Sequence, residues 1–110
     1  TSRVVVNSGK YLSASGNYAL NVNGFLRVKS GFIRSIKGYY DSKIIIDGGI
    51  IGEDNELKFP IPIECFGAIQ LNRGLIKARD NISIFIHKNT ETDVSILEQQ
   101  VDIKGKVLYN

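Results

Sequence analysis

The sequence predicts an all-β fold in which one strand–bend–strand unit is stacked on the next, and three observations carry that expectation. The stretches RVVVNSGKYLS (3–13), FLRVKSGFIRS (25–35), KIIIDGGIIGE (43–53) and AIQLNRGLIKA (68–78) share one pattern: apolar, any, apolar, polar, any, glycine, any, apolar. Their apolar positions are rich in Val and Ile at a spacing of two, and β-branched side chains suit a pleated, half-buried surface. Each copy carries a glycine at the same place, where a bend calls for positive φ.

Taken in order, the first copy runs through Val4 and Val6, bends at Asn7 and Gly9, and resumes at Tyr11. The second uses Leu26, Val28, Lys29, Gly31 and Ile33; the third uses Ile44, Ile46, Asp47, Gly49 and Ile51. The fourth uses Ile69, Leu71, Asn72, Gly74 and Ile76, and a shortened fifth copy, VDIKGKVLY (101–109), has one residue fewer before Gly105. Between copies, KFPIPIECFG (58–67) carries two prolines that cannot donate to a central ladder, so it reads as an inserted loop. HKNTETD (87–93) reads as a polar turn. TDVSILEQQV (92–101) is open: Val94, Leu97 and Val101 share a helical face with Thr92 or Asp93 as cap, while Val94 and Ile96 suit a strand.

Two architectures accommodate such a unit. In a short right-handed parallel β-helix of four to five irregular coils, the bend is a corner between two faces, and Val6, Val28, Ile46 and Leu71 form one ladder inside the core. In an antiparallel β-sandwich or jelly roll, each unit is instead a hairpin, because NSG, KSG, DGG and NRG also suit short turns with a glycine bulge. The glycines are separated by 22, 18, 25 and 31 residues. Values near the lower end suit one coil and the longer ones one coil with an insertion, which favours the β-helix.

Length and composition bound the rest. The 110 residues, 43% of them hydrophobic, form a single β domain over 1–110 with enough apolar material for a core. No run of about 18 apolar residues is present, so no membrane span is expected. Cys65 and His87 are the lone cysteine and lone histidine. Both read as packing residues rather than a nucleophilic pair, and no cofactor or metal site is expected. The net charge of +3 is split unevenly. Residues 1–40 contain six bases and no acid, together with Tyr11, Tyr18, Phe25, Phe32, Tyr39 and Tyr40; all eleven acids fall in 41–110. That asymmetry points to an anionic partner.

The repeated unit, with Asn or Asp before the glycine in three copies, resembles coils of the pectin-lyase-like right-handed β-helix superfamily over residues 3–78, and more loosely over 101–109. The resemblance implies contact with extracellular or virion-surface glycan, as in polysaccharide lyases and hydrolases, bacterial adhesins and trimeric phage tailspikes. Full members have more coils, so the resemblance also implies a fragment or terminal module of a longer protein. Such a module would be completed by neighbouring domains or by a homo-trimer.

For function, the basic and aromatic stretch RVKSGFIRSIKGYYD (27–41) is the leading binding candidate. Arg27 and Arg34 are expected to point outward, with Lys29, Lys37, Tyr39 and Tyr40 at bends or on the following loop. Aromatic faces stack on sugar rings and bases pair with acidic polysaccharide, so the leading expectation is a non-enzymatic module recognising surface polysaccharide. The same equipment suits phosphates and stacked bases, which makes a nucleic-acid-binding β domain the alternative. A polysaccharide-cleaving fragment is the second alternative. It needs two carboxyls about 5–10 Å apart across one bond, and Asp47 and Glu53 are the nearest candidates. Asp47 at a bend and the loop EDNE (53–56) are explained equally well by turn chemistry and solvation.

Overall fold

The computed structural model describes residues 2–14, 16–52, 60–87 and 93–110. The chain winds as a β-solenoid of about four turns, and every strand pairing among the described residues is parallel. Hairpins would pair antiparallel, so the sandwich alternative is excluded.

Three faces run the length of the stack. The first is built from β1 (Arg3–Val6), β4 (Phe25–Val28), the start of β7 (Lys43–Gly52), the start of β9 (Ala68–Ile86) and β10 (Val94–Ile96). The second takes β2 (Lys10–Tyr11), β5 (Phe32–Ile33), the end of β7, the middle of β9 and the start of β11 (Val101–Tyr109). The third takes β3 (Leu20–Val22), β6 (Ile36–Gly38), β8 (Ile63–Cys65) and the ends of β9 and β11.

Period-two alternation sends every second side chain inward, and parallel stacking places like residues one above another. The expected ladder Val6–Val28–Ile46–Leu71 forms, beside a second row of Val4, Leu26, Ile44 and Ile69. A third row of Tyr11, Ile33, Ile51 and Ile76 descends the second face. The third face contributes Leu20, Ile36, Ile63, Ile84 and Val107. The middle rungs of these rows are fully buried, each side chain contributing about 1.5–3 kcal/mol from leaving water. Because each coil touches chiefly its neighbours, stability accumulates rung by rung.

The corner between the first two faces explains the repeated glycine. Gly9, Gly31, Gly49 and Gly74 all have φ between 81° and 120°. A side chain there would also meet the coil beneath, since a Cβ on Gly49 would lie 2.9 Å from the Gly31 carbonyl oxygen.

Two details of the sequence reading are corrected and one that it left open is settled. The fifth copy is out of phase: Gly105 sits against Ser83 and Ala78 at the corner between the second and third faces. The matching first corner of the last coil is a turn closed by Gln100 N–H to the Leu97 carbonyl, at 2.9 Å. Residues 93–100 are therefore strand and turn rather than helix, because Val94 and Ile96 extend the first-face rows beneath Ile69 and Leu71. Finally, 58–67 is not wholly an inserted loop, since Ile63–Cys65 is the third-face strand of its coil.

Candidate functional site

On the third face, three stretches line up that share little at first reading: IKGY (36–39), IECF (63–66) and IFIH (84–87). Ile36, Ile63 and Ile84 point inward, as do Cys65 and Ile86. The alternate positions point outward and form two adjacent rows: Lys37, Glu64 and Phe85, and beyond them Tyr39, Phe66 and His87.

Glu64 is the centre of this surface. The Tyr18 hydroxyl, delivered by the segment before β3, donates to Glu64 Oε1 at 2.6 Å. His87 Nε2 lies 2.7 Å from Oε2. Burial works to raise the Glu64 carboxyl, but hydrogen bonds from Tyr18 and His87, aided by the charges of His87 and Lys37, outweigh it and hold the group below its usual value. Ionised Glu64 can only accept, so the His87 ring nitrogen is the donor. Burial first, then the bond to Glu64 and its charge, push the Tyr18 phenol well up, so that hydroxyl keeps its proton.

Rings surround this centre. His87 is stacked between Phe66, at 3.8 Å and 6° between planes, and Phe85, at 4.1 Å and 13°. Tyr40 leans on Phe66 at 5.2 Å, yet leaves 75% of its surface in solvent. The Lys37 ammonium stands 5.3 to 5.9 Å from the ring centres of Tyr39, Phe66 and Tyr18. The result is a partly buried aromatic surface with one projecting tyrosine, a cation held over rings, and an anchored carboxylate.

The residues singled out in the sequence are not brought together. Lys37, Tyr39 and Tyr40 lie on this face. Arg27 belongs to the first face, where its Nε donates to Asp47 Oδ2 at 2.6 Å. Lys29 is exposed at the first corner, with its carbonyl over Gly48. Arg34, expected to point outward, is buried to 8% exposure at the second corner, where a guanidinium N–H reaches the Ser13 carbonyl at 3.5 Å.

Asp47 has a structural setting. Asn72 Nδ2 donates to its other oxygen at 2.5 Å, and Gln70 in turn donates to Asn72 at 3.1 Å. The bond from Asn72, against the opposing effect of burial and with help from Arg27 and Arg73, holds Asp47 below the ordinary carboxylate value. Glu53 lies outside the described residues. Cys65 faces the core with its thiol 3.3 Å from the Gly67 carbonyl, and burial pushes it up to about 11. His87, by contrast, faces outward one residue past the rung that pairs Cys65 with Ile86.

Glu64, Phe66, Phe85, His87 and Tyr18 were missed as site residues. A signal for the first four was present: aligning 36–39, 63–66 and 84–87 on their inward isoleucines puts the outward residues in register. It is hidden because those residues differ chemically from rung to rung.

Fold and face together define a short β-solenoid that carries an aromatic, charged row along one side. Comparison with known proteins finds no family model, no curated protein and no solved structure that matches the chain.

Proposed function

We propose that this chain is a non-catalytic recognition module that binds surface polysaccharide along its third face. The observation that carries the reading is the outward row Tyr39–Phe66–His87 with Tyr40 projecting beside it. Tyr40, 75% exposed and backed by Phe66, offers a ring to the apolar face of a sugar, beside the stacked Phe66 and His87. Lys37 supplies a cation for a carboxylate or sulfate on the same chain. The stacked coils are compatible with the pectin-lyase-like superfamily that the repeats resemble. On that reading the module belongs to a tailspike-like or adhesin-like protein at an extracellular or virion surface.

Nucleic acid is the weaker reading, because the bases of 27–41 are divided among two faces and two corners. Cleavage is weaker too: both oxygens of Glu64 and both of Asp47 are already engaged, and each carboxyl is held in its ionised form. The test is titration with acidic oligosaccharides and their neutral counterparts, followed by calorimetry. Tyr40→Ala and Lys37→Gln should each weaken acidic-glycan binding about tenfold, with steeper salt dependence in the parent than in Lys37→Gln. Binding that is unmoved by both changes, or absent across a panel of surface glycans, refutes the proposal.

A further inference from the structure

We propose that the second face of the solenoid is a self-association surface, on which a second copy of this chain packs face to face with its stack running in the opposite direction.

The inward row Ile33, Ile51 and Ile76 of that face is fully buried, so the residues before them, Phe32, Ile50 and Leu75, point outward, one above another on consecutive coils. The corresponding outward rows elsewhere are mixed: Arg27, Ile45 and Gln70 on the first face, and Lys37, Glu64 and Phe85 on the third. Ile50 is 42% exposed, the most exposed aliphatic side chain among the described residues of the three middle coils, and Phe32 and Leu75 are half-buried. Gly49 before Ile50 and Gly52 two positions after it carry no side chains, which leaves the apolar row standing on a flat sheet. Two sheet faces pack about 10 Å apart with their side chains interleaved, and a contiguous apolar row on a flat face suits that contact.

Charge says what covers it. The row continues into Lys10 at one end and Asp102 at the other, both exposed. A base and an acid at opposite ends make the row complementary to itself reversed. A two-fold axis crossing the row at Ile50 sets Ile50 against Ile50 of the second copy, Phe32 against Leu75, and Lys10 against Asp102, with the last two pairs each made twice. An axis running along the stack would keep the copies parallel and set Lys10 against Lys10 and Asp102 against Asp102. Like charges in contact disfavour that arrangement, so the end charges fix the orientation while the apolar row supplies the contact. The other exposed bases of this face, Lys77 and Lys104, share the register of Gly52. A reversed copy therefore sets them opposite Arg34, which is buried, and Leu12, which is uncharged. Both third faces stay uncovered, so glycan binding there does not depend on this association.

The experiment is light scattering after size-exclusion chromatography from about 10 μM to about 1 mM protein. The expected result is a molar mass that rises from 12.2 kDa and levels off at twice that value. For so small a patch the dissociation constant should be on the order of 10–100 μM. Ile50→Lys should raise it about tenfold or more, and Lys10→Glu and Asp102→Lys about fivefold each. The double variant Lys10→Glu/Asp102→Lys should return close to the parent, because opposite charges then meet again at both ends. All three side chains are exposed, and circular dichroism confirms that the variants fold. A parent that stays at 12.2 kDa throughout overturns the proposal, as does a mass that levels off at three copies or grows without limit. Dimerisation unmoved by Ile50→Lys overturns it too. So does a dimer indifferent to the single charge reversals, the result a parallel pair would give.

Discussion

Replacing Glu64 separates what its charge does from what its shape does. Glu64→Ala removes the acceptor for both the Tyr18 hydroxyl and the His87 ring nitrogen, at 2.6 and 2.7 Å. Both bonds involve an ionised acceptor, and the Glu64 and His87 side chains are about a fifth exposed. Hydrogen bonds to charged groups contribute about 1.5–3 kcal/mol each when buried, so partial exposure brings the pair to roughly 2–3 kcal/mol. Glu64→Gln keeps the length and offers one acceptor and one donor, which the other His87 tautomer accommodates, at about 1 kcal/mol. For a domain of this size 1 kcal/mol is about 4–8 °C in Tm, so Glu64→Ala should melt about 10–15 °C below the parent and Glu64→Gln about 5 °C below it. The assay is urea and thermal unfolding followed by far-ultraviolet circular dichroism. Because folding lowers the Glu64 pKa, its charge-dependent contribution is present above the unfolded value of 4.5 and is lost as pH falls through the lower folded value. The gap between parent and Glu64→Gln should therefore narrow in acid. Equal stabilities for the Ala and Gln variants, or a gap that widens in acid, would refute the account of Glu64 as the anchored centre of the face.

Two further expectations concern the backbone and the core. Gly52→Ala should abolish folding, since at φ 135° its Cβ would lie 1.9 Å from the Lys77 carbonyl oxygen. Gly16→Ala, at φ 86° with open space around it, should cost only about 1–2 kcal/mol by urea denaturation. Cys65, fully buried with its thiol raised to about 11, should react with a disulfide reagent at pH 8 only as fast as the protein unfolds, so labelling of the native protein at the rate of a free thiol would contradict its placement.

The sequence alone determined the strand–bend–strand unit and favoured its stacking into a β-helix, while the parallel pairing that excludes hairpins came from the structure. Each of the first four coils repeats the same demand on the first two faces: inward Val, Ile or Leu two apart, then a polar residue and a glycine. Parallel stacking then places Val6, Val28, Ile46 and Leu71 in one row. The fifth coil was misread because its first corner has no glycine: the turn at 97–100 closes through its own backbone bond instead. Gly105 was free to serve another corner.

The third face was a matter for tertiary structure. Its outward residues Lys37, Glu64 and Phe85 obey no shared pattern, because outward positions are selected by what they touch across rungs rather than by burial. Tyr18 reaches Glu64 from 46 positions away, and His87 from 23. Likewise Arg27, Arg34 and Lys37 are close in sequence, but successive faces of a coil turn them away from one another. Periodicity records which side of a strand is dry, so the core was legible. Neighbours on the wet side are set by the length of each coil and the angle of each corner, and those appear only when the chain is wound.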